Sequence, residues 1–132
     1  MRKQTSINIL KYFILFMICL SCSDNLPYNL EKFTQNGYTS ISDSTGMPII
    51  EESYSIAFND KNPKIMYIEK YSTNSLGLVV YIETTGKKFY YVAIKPKPKE
   101  EQNYAELQVN YTIYKEQEYK KLCLDDNWNK IR

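Results

Sequence analysis

The sequence predicts a mainly β (or α+β) fold: a small antiparallel sheet of five or six strands, with or without one short helix. Three observations carry that expectation. Leu76, Leu78, Val80 and Ile82 recur at a period of two, the spacing that lines one face of a strand. Thr85-Gly86 follows, and Phe89–Lys95 then alternates Tyr90, Val92 and Ile94 with Phe89, Tyr91 and Ala93. Ala105, Leu107, Val109, Tyr111 and Ile113 alternate in turn with Glu106, Gln108, Asn110 and Thr112, the pattern of a strand with one wet face.

Taken in order, the elements begin near Tyr38 or Pro48, after a polar stretch. Residues 39–48 are rich in Ser, Thr, Asp, Gly and Pro and read as loop. Ile49–Phe58 reads as a strand, and Asn59-Asp60-Lys61-Asn62-Pro63 as a turn. Lys64–Tyr71 is the next strand, with Ile65, Tyr67 and Tyr71 in alternation. Leu76–Lys95 is the clearest hairpin, because Gly86 supplies the positive φ of a tight turn. Both faces of its strands carry apolar or aromatic groups, which predicts a central position in the sheet. Lys95-Pro96-Lys97-Pro98-Lys99 cannot be strand interior, since proline donates no ladder hydrogen bond. The tail over 115–124 fits a helix through Tyr119, Leu122 and Cys123, or a hairpin turning at Glu116-Gln117. Trp128 is expected to plug the sheet edge, and Cys123 to be a small buried hydrophobe.

The first 21 residues have a different character. Arg2, Lys3 and Lys11 are the only charges before Asp24, and the apolar run 12–20 precedes Ser21-Cys22. A basic start, a short apolar stretch and a small residue make a secretory signal. The run is about half the ~20 residues that cross hydrocarbon as a helix. Leu20-Ser21-Cys22 resembles the lipobox of bacterial lipoproteins, with Cys19 where that family usually places an aliphatic residue. The resemblance implies that Leu20 and Ser21 are read by the signal peptidase. It also implies that the Cys22 thiol is acylated and that Cys22 becomes the first mature residue. Ser23 is similar to the residue found in lipoproteins sent to the outer membrane, and the polar Ser23-Asp24-Asn25 resembles the export signal of Bacteroidota surface lipoproteins. The resulting organisation is a signal peptide over 1–21, a lipidated N-terminus and flexible tether over 22–37, and a single domain over 38–132. The expected location is the cell envelope, anchored in the outer membrane.

Removing 1–21 changes the charge and the cysteines. The whole chain has 17 Lys+Arg and 15 Asp+Glu, net +2. Loss of Arg2, Lys3 and Lys11 leaves 14 against 15, net −1, so the apparent basicity belongs to the signal. Neither value suggests nucleic acid. Cys19 departs with the signal and Cys22 is acylated, which leaves Cys123 without a disulfide partner.

The absence of histidine excludes Ser-His-Asp and Cys-His catalysis and His-ligated zinc. The pairs Glu51-Glu52, Glu100-Glu101 and Asp125-Asp126 are adjacent in sequence. Two neighbours on a strand face opposite ways and make a poor acid–base pair. Asn59-Asp60-Lys61-Asn62 is too short for a calcium loop and carries a lysine. No enzyme, cofactor or metal is therefore expected. Tyrosine is the outlier: 12 of 13 follow Cys22. Tyr67, Tyr71, Tyr81, Tyr90 and Tyr91 are the candidate members of a ligand-binding surface, because adjacent strands bring several onto one face. Asp43-Ser44-Thr45 resembles the short O-glycosylation motif of Bacteroidota secreted proteins, which implies modification at Ser44. Two functions stay open: an interaction domain with a protein partner (an envelope-complex component or an immunity-type inhibitor), and a glycan- or lipid-binding surface built on the Tyr-rich sheet.

Overall fold

The computed structural model describes residues 22–103 and 105–131. The signal-peptide positions, Leu20 and Ser21 among them, lie outside the described residues. The fold is mainly β, with one short α-helix. It contains two antiparallel sheets where the sequence suggested one.

The first sheet runs β1 (Cys22–Asn25), β2 (Glu31–Gln35), β3 (Tyr38–Ser42) and β4 (Pro48–Glu51) in that spatial order. This corrects the expectation of a flexible tether over 22–37. Leu26 and Leu30 flank a 3-10 turn at Pro27–Asn29 and both enter the core. The Leu26 N–H donates to the Leu30 carbonyl at 2.8 Å, closing that turn. Two leucines in a polar stretch thus tie the segment to the domain, although their surroundings read as linker.

The second sheet has the order β8-β7-β6-β5-β9, formed by β5 (Ile65–Asn74), β6 (Gly77–Thr84), β7 (Lys88–Pro96), β8 (Val109–Lys115) and β9 (Asn129–Lys130). The β6–β7 hairpin is central, with Leu78 opposite Ile94 and Thr84 opposite Lys88. Gly77 cannot be replaced without strain: its φ is +107°, and a Cβ there would lie 2.3 Å from the Ile94 carbonyl oxygen.

The two sheets share one core. Ile41 and Ile50 come from the first, and Ile65, Ile68, Leu78, Val80, Ile82, Val92, Ile94 and Val109 from the second. A carboxylate straps them together. Glu52, 2% exposed, accepts the Thr39 N–H at 2.7 Å through Oε1 and the Ile68 N–H at 2.8 Å through Oε2. Its charge is held by one donor from each sheet, which is how a buried carboxylate is tolerated. Among the described residues no buried side-chain nitrogen or oxygen lacks a hydrogen-bond partner.

Two strand boundaries differ from the alternation. The strand expected over 49–58 ends at Glu51, because Glu52 is drawn into the core and Ser53 turns the chain at φ +75°. The strand expected from Ala105 begins at Val109. Before it, the Gln108 amide donates to the Asn103 and Glu106 carbonyls and holds a compact turn. The tail resolves as a helix, α1 (Glu116–Lys120), which brings Tyr119 into a second, smaller cluster. Cys123 is exposed rather than buried. The helix ends one turn too early to carry it onto the face of Tyr119, and it sits at φ +50° with its N–H on the Lys120 carbonyl.

Candidate functional site

The five tyrosines separate onto both faces of the second sheet. Adjacent Tyr90 and Tyr91 must diverge at a period of two: Tyr90 packs on the shared core, edge-to-face with Phe58, and Tyr91 on the outer cluster. Tyr67 and Tyr71 would share a face in a regular strand. A β-bulge between Ile68 and Lys70 reverses them, setting Tyr67 opposite Glu83 and Tyr71 opposite Val80. Tyr67, Tyr81 and Tyr91 therefore lie on the outer face, and Tyr71 and Tyr90 on the inner.

The outer face is covered by the chain's own tail. Tyr119 of α1 stacks on Tyr91, ring centroids 4.0 Å apart and 8° from parallel, and Trp128 tilts against Tyr91 at 5.7 Å. Tyr81 continues the array, 4.9 Å from Tyr91 and stacked on Phe89 at 5.5 Å. Lys70 Nζ sits 5.0 Å from the Tyr81 ring and 4.9 Å from the Trp128 ring, a cation between two π faces.

The hydroxyls of Tyr81 and Tyr119 are paired. The Tyr81 hydroxyl donates to Glu116 Oε1 at 2.5 Å. The Tyr119 hydroxyl meets both oxygens of Asp126, at 2.9 and 3.0 Å, and accepts from the Asn74 amide at 2.9 Å. Asn74 also donates to Asp126 at 2.7 Å, and its Oδ1 accepts the Leu76 N–H. Burial, then the neighbouring carboxylates, push the phenol pKa values of Tyr81, Tyr91 and Tyr119 above the ordinary 10. The Tyr81 and Tyr119 hydroxyls serve as donors to Glu116 and Asp126.

Two open grooves remain beside this cover. One, of about 490 Å³, is lined by Glu69, Lys70, Tyr81, Phe89 and Lys130. Lys70 and Lys130 stand directly opposite each other across β5 and β9. The other, of about 390 Å³, has Leu76, Ala93, Pro96, Pro98, Thr112 and Tyr114 in its walls and floor. It borders β8, whose outer edge pairs with no strand among the described residues. The sequence did not single out this groove, although Pro96 and Pro98 marked where the sheet must stop.

Cys22 occupies the first position of β1, paired with Thr34. Ser44 is exposed on the turn between β3 and β4. Its neighbour Asp43 is fully buried and accepts from Thr45, Met47 and Gln108. Burial raises the Asp43 pKa, and these hydrogen bonds outweigh it, so the carboxyl titrates below its ordinary 3.8. Among the described residues no group of three or more His, Cys, Asp or Glu side chains could hold a metal ion. No helix among them is long and apolar enough to cross a membrane.

No protein-family model, curated protein or solved structure matches the chain.

Proposed function

We propose that this chain is a bacterial lipoprotein, held in the outer membrane by acyl groups on Cys22, whose domain is a non-enzymatic protein-interaction module of the cell envelope. The anchor rests on Leu20-Ser21-Cys22 at the end of a short apolar run. The observation that carries the interaction role is the open edge of β8 beside the groove of Leu76, Ala93, Pro96 and Tyr114. That edge has seven residues, no proline and one charge, at Lys115. Edge strands without such guards accept a further strand, and a neighbouring apolar groove gives side chains of the added strand a place to pack. An envelope-complex subunit or a secreted toxin opposed by an immunity-type inhibitor would dock here.

The test is affinity capture of the tagged lipoprotein from detergent-solubilised envelopes. Wild-type protein should recover a stoichiometric partner. The double variant Asn110→Lys, Thr112→Lys, which sets charges at the groove wall, should lose it. Recovery of no stoichiometric partner, or equal recovery with the variant, overturns this role.

A second reading, binding of a glycan or lipid, is favoured by the other groove. Phe89 and Tyr81 offer stacked rings beside Lys70 and Lys130, a combination that suits an acidic sugar or a phosphorylated lipid headgroup. Binding on glycan arrays or lipid overlays, abolished by Phe89→Ala, would support it, and no binding to either panel would sink it. Tyr90→Ala is unsuitable for this purpose, because Tyr90 packs on the core.

A further inference from the structure

The domain has two distinct ends, and Cys22 marks one of them. Cys22 pairs with Thr34, and Thr34 with Thr39, so Cys22 lies beside the β2–β3 turn that Tyr38 closes. Glu52 then bonds both Thr39 and Ile68, and the Tyr54 carbonyl accepts the Ile65 N–H at the start of β5. Lys64 follows the same line: it bridges Ser55, and its carbonyl accepts the Thr85 N–H from the β6–β7 turn. The starts and ends of strands in both sheets thus meet at one end. The opposite end gathers the 26–30 turn, the Asp43–Met47 loop and the 96–108 connection, joined by the Asp43–Gln108 hydrogen bond.

The Cys22 end exposes aromatic and basic side chains, with the Glu51 carboxylate beside Tyr38 and Tyr54. Tyr54 and Tyr38 are the most exposed large hydrophobic side chains described, at 64% and 56%, and Met66 is exposed nearby at 41%. Lys64, Lys87 and Lys88 are exposed there, and none makes an ion pair among the described residues. Tyrosine prefers the headgroup layer of a membrane, and lysines are attracted to anionic lipid.

We propose that the domain lies directly on the bilayer that carries its anchor. Tyr38 and Tyr54 sit in the headgroup layer, and Lys64, Lys87 and Lys88 sit against anionic headgroups. This rests on acylation of Cys22. With the thioether on the first residue of β1 there is no spacer, so the bilayer surface is within a residue or two of the β2–β3 turn. The occupant of this end is therefore the membrane itself. The groove bounded by Leu76, Pro96 and Pro98 belongs to the opposite end and faces away from the lipid, open to a partner.

Intact mass of the purified lipoprotein first reads the anchor as a diacylglyceryl addition at Cys22. The acylated protein is then compared in detergent micelles and in phosphatidylcholine vesicles with and without phosphatidylglycerol, by hydrogen–deuterium exchange. Exchange should slow severalfold in anionic vesicles at 35–38, 52–55 and 85–88, and stay unchanged at 43–47 and 98–103. The triple variant Lys64→Ser, Lys87→Ser, Lys88→Ser should lose the part of that protection that depends on phosphatidylglycerol. An acylated protein with no protection at these turns, or with protection at the opposite end, overturns the orientation and leaves the anchor standing. Absence of the acyl mass overturns both.

Discussion

The two faces of the second sheet are buried by different means. The inner face is aliphatic: Ile68, Leu78, Val80, Ile82, Val92 and Ile94 pack against Ile41 and Ile50 of the first sheet. The outer face is mainly aromatic, covered by the chain's own tail rather than by a second sheet, and tied down by phenol–carboxylate hydrogen bonds. Aliphatic burial is non-directional and scales with area. The outer cover instead depends on a few oriented groups, each costly to leave unpaired. The inner face should therefore decide whether the domain folds, and the outer face whether the tail stays docked and shapes the grooves.

That difference can be broken from either side. Ile82→Ala, on the inner face and fully buried, should cost about 2–5 kcal/mol. Chemical denaturation measures it, and a cost under about 1 kcal/mol would mean the two sheets do not share a tight core. Glu52→Gln should come next. It removes one of two acceptors that join the sheets, and about 1–3 kcal/mol is expected for the donor left unpaired. Tyr119→Phe removes the hydroxyl that Asp126 and Asn74 share while keeping the stack on Tyr91. A loss of about 1 kcal/mol is expected, together with faster backbone exchange over 116–130 and unchanged exchange in β6 and β7. Equal loosening of β6 and β7 would show that the cover and the core are one unit.

The smallest effects are on pH, and they sort by face and by end. Tyr81, Tyr91 and Tyr119 have raised pKa values in the fold. The folded chain then holds protons that the unfolded chain releases above about pH 10. Their contribution is present below that pH and is lost as pH rises toward the folded values. Absorbance titration of tyrosinate should show these three ionising only as the protein unfolds. Asp43 works in the opposite direction. Its depressed pKa adds stability above about pH 4 that disappears as pH falls through the folded value. Asp43→Asn should flatten the acid limb of a stability-versus-pH curve and leave the alkaline limb alone.

The same contrast explains what could be read in the sequence. The inner face was visible as Leu78, Val80 and Ile82 at a period of two, because aliphatic burial writes that period directly. The hairpin at Gly86 and the stop at Pro96 were visible for equally local reasons. The division into two sheets was not, since Leu26 and Leu30 sit among polar residues and only the fold reveals that both are buried. The sorting of the tyrosines was half legible: Tyr90 and Tyr91 had to diverge, whereas the bulge that separates Tyr67 from Tyr71 leaves no local signature. The outer cover was the least legible. It joins Asn74 to Asp126 and Tyr81 to Glu116 across long stretches of chain, and no spacing rule connects such pairs. The β8 edge and its groove follow from the order of strands, which alternation does not encode.

In the proposed orientation the anchor on Cys22 sets which way that groove faces, so the functional proposals for the outer surface hang on Cys22. The most direct measurement is metabolic labelling of the full-length chain with an alkyne fatty acid, followed by membrane fractionation of wild type and Cys22→Ser. Label and membrane recovery in the wild type, both lost in the variant, are the expected result. Label retained on the Cys22→Ser chain, or absent from the wild type, would contradict the lipoprotein assignment.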